Sequence, residues 1–192
     1  MPTAPTAIRI NVNAAIIRDD QILVIEFNDE NGIHYNLPGG GVDTGESLEA
    51  ALKRECLEEA RAQVEVGQVL LVWEYVPSLH GFKYGPTQRV GLVFKCELAV
   101  GAQPALPENP DPNQTGVKWI PISHLSAAAS SKNPPLFPNI GNELFKALMD
   151  PGLPTQHICR LANPTDLPTQ PAPRPQQIKT KYRETEPDQP KA

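Results

Sequence analysis

A mixed α/β fold is what this sequence predicts, on three observations. β-branched runs with alternating apolar and polar residues recur on both sides of a central helical pattern. That pattern, from about Ser47 to Arg61, follows directly on three consecutive glycines, Gly39 to Gly41. A second apolar stripe at helical spacing closes the patterned part of the chain. Strands and helices that interleave in this way bury a sheet beneath helices.

In chain order, Ile8 to Ile17 alternates and then runs apolar (Ile8, Ile10, Val12, Ala14, Ile16), the period-two signature of a half-buried strand. Asp19-Asp20 supplies a turn, and the β-branched run Gln21 to Phe27 completes an antiparallel hairpin. Asn28 to Gly32 is a polar loop and Ile33 to Leu37 a short strand. Pro38 denies Leu37 the helical region, so an extended entry leads into a glycine loop whose backbone is free to take unusual dihedrals. The helix after it carries Glu46 and Glu49 at the positive end of its dipole. Val64 to Val76 and Arg89 to Leu98 are further strands, joined by a loop whose Phe82 and Tyr84 are candidate ligand contacts. Gly101 to Gly116 is a loop rich in Pro, Asn and Asp that contains Glu108 and Asp111; Val117 to Ile120 is a last strand, Pro121 to Leu125 a short helical turn, and Asn142 to Met149 a closing helix.

The composition then shifts: 9 of the 42 residues from Pro151 to Ala192 are proline, against 13 of the preceding 150. Such a segment buries too little surface to offset its ordering entropy. The expected organisation is one domain over residues 1–150 and a proline-rich, disordered tail over 151–192, with no tail partner identified. Residues 1–150 hold 11 Lys and Arg against 18 Asp and Glu, an acidic balance that argues against a duplex nucleic acid partner. Three cysteines without CxxC spacing suggest neither a zinc site nor a disulfide framework. The N-terminus lacks the features of a secretory signal, and no apolar segment approaches the ~18 to 20 residues of a membrane span, so a cytoplasmic protein is expected.

Chemistry concentrates in the central helix. At about 100° per residue with Leu48 as zero, Glu55 falls at about −20° and Glu59 at about +20°, on the apolar stripe of Ala51 and Leu52, with Glu58 at about −80°. Carboxylates so placed repel one another and raise each other's pKa unless something positive joins them. Lys53, Arg54 and Arg61 can serve as ordinary ion-pair partners on a solvated face, Arg54 to Glu58 at i,i+4 among them. A hard divalent cation such as Mg²⁺ is the alternative, since it takes oxygen ligands from one or two carboxylates and leaves room for phosphate oxygens. The glycines favour the cation, because they let carbonyls and amides approach a ligand unobstructed.

These residues resemble the Nudix box, G-x5-E-x7-R-E-U-x-E-E-x-G-U with U aliphatic: Gly40, five residues to Glu46, seven to Arg54-Glu55, then Glu58-Glu59. Leu-Pro-Gly-Gly ahead of the box and Trp119-x-Pro121 ahead of a short helix also look like the family. Arg61 stands where the family has glycine, and Cys56 and Ala62 take the flanking aliphatic positions. Arginine there costs ~1 kcal/mol if a left-handed conformation is kept; otherwise the helix ends differently.

The resemblance covers roughly residues 7 to 150. It implies an α/β/α sandwich around a mixed sheet and Mg²⁺-dependent hydrolysis, with Mn²⁺ as a substitute, of a nucleoside diphosphate linked to a group X, a class spanning nucleoside triphosphates, ADP-ribose and nucleotide sugars. Carried over by position, Gly40, Glu55, Glu58 and Glu59 hold the metal, Arg54 orients a glutamate and Glu46 braces the loop. The general base comes from the box or from a later loop, where Glu108 is the candidate with Asp111 behind it. Pro77 matches a proline of relatives that cleave ADP-ribose; Trp73 and Tyr75 are open between base stacking and core. The partner is a small nucleotide, with homodimerisation left open. The rival reading is a catalytically silent Nudix-like nucleotide-binding or regulatory module.

Overall fold

The computed structural model describes residues 7–30, 32–82, 85–126, 133–150 and 152–158. Strands β1 (Arg9–Arg18) and β2 (Gln21–Asp29) form the expected hairpin. Its turn takes Asp19 and Asp20 to φ 49° and 58°, the left-handed pair that a two-residue turn needs to match strand twist and that Asp tolerates.

The hairpin opens almost at once. β1 and β2 pair only at Ile17↔Ile22 and Arg18↔Gln21. From there β1 runs parallel to β6 (Arg89–Leu98), from Arg9↔Arg89 to Ile16↔Cys96, while β2 pairs with β7 (Gln114–Pro121) and with β3 (Gly32–Asn36). β5 (Val64–Tyr75) lies antiparallel beyond β6, and the two-residue β8 (Leu136–Phe137) parallel beyond β3. The divergence of β1 from β2 leaves a cleft between the two halves of the sheet.

Helix α1 (Leu48–Ala60) starts where the sequence places it: Ser47 is the N-cap, and its hydroxyl accepts the Ala50 N–H at 3.1 Å. Its buried Ala51, Leu52, Cys56 and Ala60 pack with Val12, Ala14, Ile16, Leu23 and Ile25. Helix α2 (Gly141–Met149) buries Leu144 and Ala147 with Ala15, Ile22, Val24, Leu71 and Val93. Neighbours along β1 and β2 thus alternate between the two clusters, as strand geometry requires, and the helices cover opposite faces. This is the α/β/α sandwich around a mixed sheet.

Two elements differ from the expectation. The three glycines are a short strand, β4 (Gly39–Gly41), antiparallel to β1 through Asn11↔Gly41, Val12↔Gly40 and Asn13↔Gly39. Their amides and carbonyls face the part of β1 that β2 has left, and pairing there satisfies groups that burial would otherwise orphan. The fold also continues past residue 150: β9 (Gln156–Ile158) pairs parallel with β5 at Leu71 to Trp73. That piece of the expected tail is part of the sheet; residues 151 and 159–192 lie outside the described residues.

Candidate active site

Box residues meet where β4 faces α1. Arg54 is the hub. Its Nε and Nη2 donate to the two carboxylate oxygens of Glu46 at 3.0 and 2.9 Å, a bidentate fork, and Nη2 also donates to the Gly41 carbonyl at 3.1 Å. Its Nη1 donates to Glu55 Oε1 at 2.8 Å and to Glu58 Oε2 at 3.2 Å. The i,i+4 pair with Glu58 is therefore real but is one of five hydrogen bonds from this side chain. The hydrogen bonds to Glu46 and then Glu55 hold the guanidinium firmly charged, and Arg54 in turn draws the Glu46 carboxyl below its usual range. Glu46 also accepts the Asp43 N–H at 3.3 Å, which closes the turn between β4 and α1.

Glu55 sits against Gly40 so closely that a Cβ on residue 40 would stand 2.5 Å from its carboxyl. Glycine is required there for close approach and not for dihedral freedom. Glu59 accepts the Gly39 N–H at 2.9 Å, so the inner face of the helix is tied to β4 by carboxylates. The helix exit is held as well: Gln114 Nε2 donates to the Glu59 carbonyl at 2.7 Å, and the Ala105 N–H to the Ala60 carbonyl at 2.9 Å.

Burial and crowding show in the acids. Glu59 is pushed up to about 8, chiefly by burial, with Glu55, Asp111 and Glu58 adding repulsion against the favourable Gly39 N–H. Glu55 is also raised, by burial first and by Glu58 and Asp111, and only partly relieved by Arg54. Asp111 reaches the cluster because Gln114 both accepts the Asp111 N–H and grips α1. Of the two acids singled out on this loop, both exposed, Asp111 is the one whose charge bears on Glu55 and Glu59. Cys56 and Cys96 are buried fillers whose thiols burial pushes up.

The donor set is oxygen only, and it carries more negative charge than Arg54 balances. Those are the properties of a site for a hard cation. Among the described residues no three His, Cys, Asp or Glu side chains converge as they stand on one metal position. Arg54 draws Glu55 and Glu58 to itself, and Glu58 is 59 % exposed. The residues fit the ion by chemistry and charge.

Beside Gly39 the cleft between β1 and β3 widens into a cavity of about 390 Å³. Asn11 and Asn13 from β1, His34 and Asn36 from β3, Trp73 and Tyr75 from β5 and Arg89 from β6 line it, with Phe137 and Pro138 at one side. Trp73 and Tyr75 are thus both core and wall. Phe82, 60 % exposed, lies outside the lining, and Tyr84 falls outside the described residues. Pro77 is buried at the head of a short 3₁₀ turn, Pro77–Leu79, also away from the lining. The sequence pattern does not single out the asparagines, His34 or Arg89 as site residues. One signal was there: asparagine is depleted in strands, so Asn11 and Asn13 at alternate positions of a β-branched run mark a polar face.

Comparison with known proteins agrees with this layout. The family model described as NUDIX domain matches residues 7–140. A MutT-like protein of Streptomyces ambofaciens is 28% identical over 124 residues, 65% of this chain and 71% of that protein. The crystal structure of a MutT NUDIX hydrolase from Burkholderia pseudomallei superposes with a TM-score of 0.51 at 28% identity, covering 61% of this chain and 85% of that one. An ADP-ribose pyrophosphatase from Streptococcus suis shares the fold at 20% identity with a TM-score of 0.53, over 79% of this chain and 99% of that one. Among the described residues no helix is long and apolar enough to cross a membrane. With every charged position of the box present and the matched span covering well over half of the sequence, the chain belongs to the Nudix hydrolase family.

Proposed function

We propose that this protein hydrolyses the diphosphate linkage of a nucleoside diphosphate-X substrate by attack of water on phosphorus, with Mg²⁺ held by Gly40, Glu55, Glu58 and Glu59 and with Mn²⁺ as a substitute. The observation that carries this reading is the joint of β4 and α1. There the Glu55 carboxyl takes the space of a missing Cβ on Gly40, and Arg54 and the Gly39 amide hold the other box acids around it. Bound there, the cation would supply charge neutralisation of the diphosphate and acidification of an attacking water.

The chain's own residues do the rest. Arg54 fixes Glu55 and Glu58 and, through Glu46, the turn that presents Gly40. Gly39 and Gly40, without side chains, let β4 lie against β1 and against the Glu55 carboxyl. A proton acceptor is drawn from Glu58 and Glu59 in the box or from the 101–116 loop, where Asp111 and Glu108 are the acids.

The test is a substrate panel of nucleoside triphosphates, ADP-ribose, nucleotide sugars and dinucleoside polyphosphates, with Mg²⁺ titrated and phosphate release read. Glu58→Gln and Glu59→Gln are expected to lose most Mg²⁺-dependent turnover of the best substrate. Undiminished turnover in both removes those carboxylates from the mechanism. A panel without turnover, together with nucleotide binding, favours a silent binding module.

A further inference from the structure

One end of the sheet carries apolar side chains that neither core uses. On β1 the residues that pack with α1 are Val12, Ala14 and Ile16, and the same alternation puts Ile8 and Ile10 on their face. β6 and β5 add Val90 and Val72 to it, since Ile10 pairs with Val90, Val12 with Leu92 and Leu92 with Val72. Ile8, Ile10, Val72 and Val90 belong to neither core cluster; Ile8 and Ile10 are 54% and 37% exposed, and the two valines are half-buried. Together with Leu92 they form a band across three strands. Apolar side chains gathered at a surface in this way mark a docking site.

The chain supplies a cover of the right place, length and composition. β9 lies on the far edge of β5 and pairs with it in parallel, from Leu71↔Gln156 to Trp73↔Ile158. Parallel pairing carries it toward Tyr75, which pairs with Arg89, itself beside Arg9, so the chain leaves Ile158 toward the end of the sheet that holds the band. Residues 159–192 follow. From β9 to β1 is three strand spacings, about 14 Å, and about five extended residues span it. Residues 159–168 contain Leu161, Ala162 and Leu167, with Pro164 and Pro168 between and after them. Proline stiffens an extended segment and so lowers the entropy lost on docking. Charge agrees: residues 159–192 hold 6 Lys and Arg against 4 Asp and Glu, the opposite balance to the 11 against 18 of residues 1–150.

We propose that residues 159–168, which lie outside the described residues, dock on this band in the same molecule, with Leu161 and Leu167 as the apolar anchors. A second copy would meet the band untethered. The tail starts one strand away from Val72, and a tether that short gives an effective concentration of about millimolar. Docking also braces the turn that leads into the box: the Ile10 carbonyl accepts the Val42 N–H at 3.0 Å, and Val42 precedes the Asp43 to Glu46 turn. It needs neither metal nor nucleotide, so it stands or falls apart from the hydrolase reading.

The test uses the full chain with benzoylphenylalanine in place of Ile10, irradiated in dilute solution and mapped by mass spectrometry of its peptides. A cross-link within the monomer to residues 159–168 is expected. A cross-link to a second copy, one confined to residues 1–6, or none to the tail overturns the proposal. Limited trypsin digestion reads the same contact with the band intact. In the wild-type chain, cleavage after Lys179 should run at least about tenfold faster than cleavage after Arg160, because a docked segment must open before it is cut. In the double variant Leu161→Asp, Leu167→Asp, whose substitutions lie beyond β9, the two rates should come within about threefold. Equal rates in the wild type, or a difference that the double variant retains, overturn the proposal as well.

Discussion

Replacing Arg61 by glycine should make the protein more stable. Arg61 ends α1 at φ 52° and ψ 26°, the left-handed conformation expected of the family's glycine, and it is exposed. The arginine has not altered the exit: the Arg61 and Ala62 N–H groups return to the Leu57 and Cys56 carbonyls at 3.0 Å each. The conformation is kept because the loop that follows holds it, through Ala105 to Ala60 and Gln114 to Glu59. A Cβ in this region costs ~1–2 kcal/mol, whereas glycine adds ~0.5–1 kcal/mol of unfolded-state entropy. The net gain for Arg61→Gly is about 0.5–1 kcal/mol, a rise in Tm of roughly 1–4 °C for a chain of this size. Calorimetric unfolding of wild type, Arg61→Gly and Arg61→Ala isolates the cause, because alanine removes the guanidinium but retains the Cβ. The expected order is glycine above both others, with turnover within about twofold of wild type, as no contact of the box passes through this side chain. A glycine variant no more stable than the alanine variant would refute the argument that the Cβ is strained.

Three other outcomes follow from the same geometry. Gly39→Ala places a Cβ 2.1 Å from the Val12 carbonyl oxygen at φ 146°, where the obstacle is backbone and has no rotamer to yield; a loss of ~2–4 kcal/mol is expected in urea unfolding. Arg54→Lys should behave nearly as badly as Arg54→Ala, each losing about 10²-fold or more in kcat, because an ammonium cannot make the planar fork to Glu46 while also holding Glu55 and Glu58. In EDTA, Tm should fall as pH rises between 4.5 and about 8. Glu59 titrates near 4.5 unfolded and at about 8 folded, so over that window the folded state keeps a proton that the unfolded state has released, and the penalty is complete above 8. Added Mg²⁺ should therefore raise Tm more at pH 8.5 than at pH 5.

Strand and helix periods are local properties, and they were legible. The Arg89–Leu98 strand, the Ser47 cap and the closing helix lie within a residue or two of where apolar spacing and capping chemistry put them. The box acids were legible too, since 100° per residue places Glu55 and Glu59 on the stripe of Ala51 and Leu52 without any knowledge of the sheet. The glycine run is a strand and not the expected free loop because its job is set by neighbours distant in sequence, the free stretch of β1 and the Glu55 carboxyl, whereas glycine alone signals only conformational freedom.

The sequence by itself determined the periodicity of the elements, the identity of the box and the excess of carboxylates along one helix face, because each depends on residues within a few turns of one another. Only the tertiary structure decided that Arg54 binds three acids at once, that Asp111 and not Glu108 joins the box electrostatically, and that Asn11, Asn36 and Arg89 share one cavity. Those residues come from strands and loops dozens of positions apart. They meet because β1 leaves β2 after two paired residues, a divergence that register and not local pattern controls.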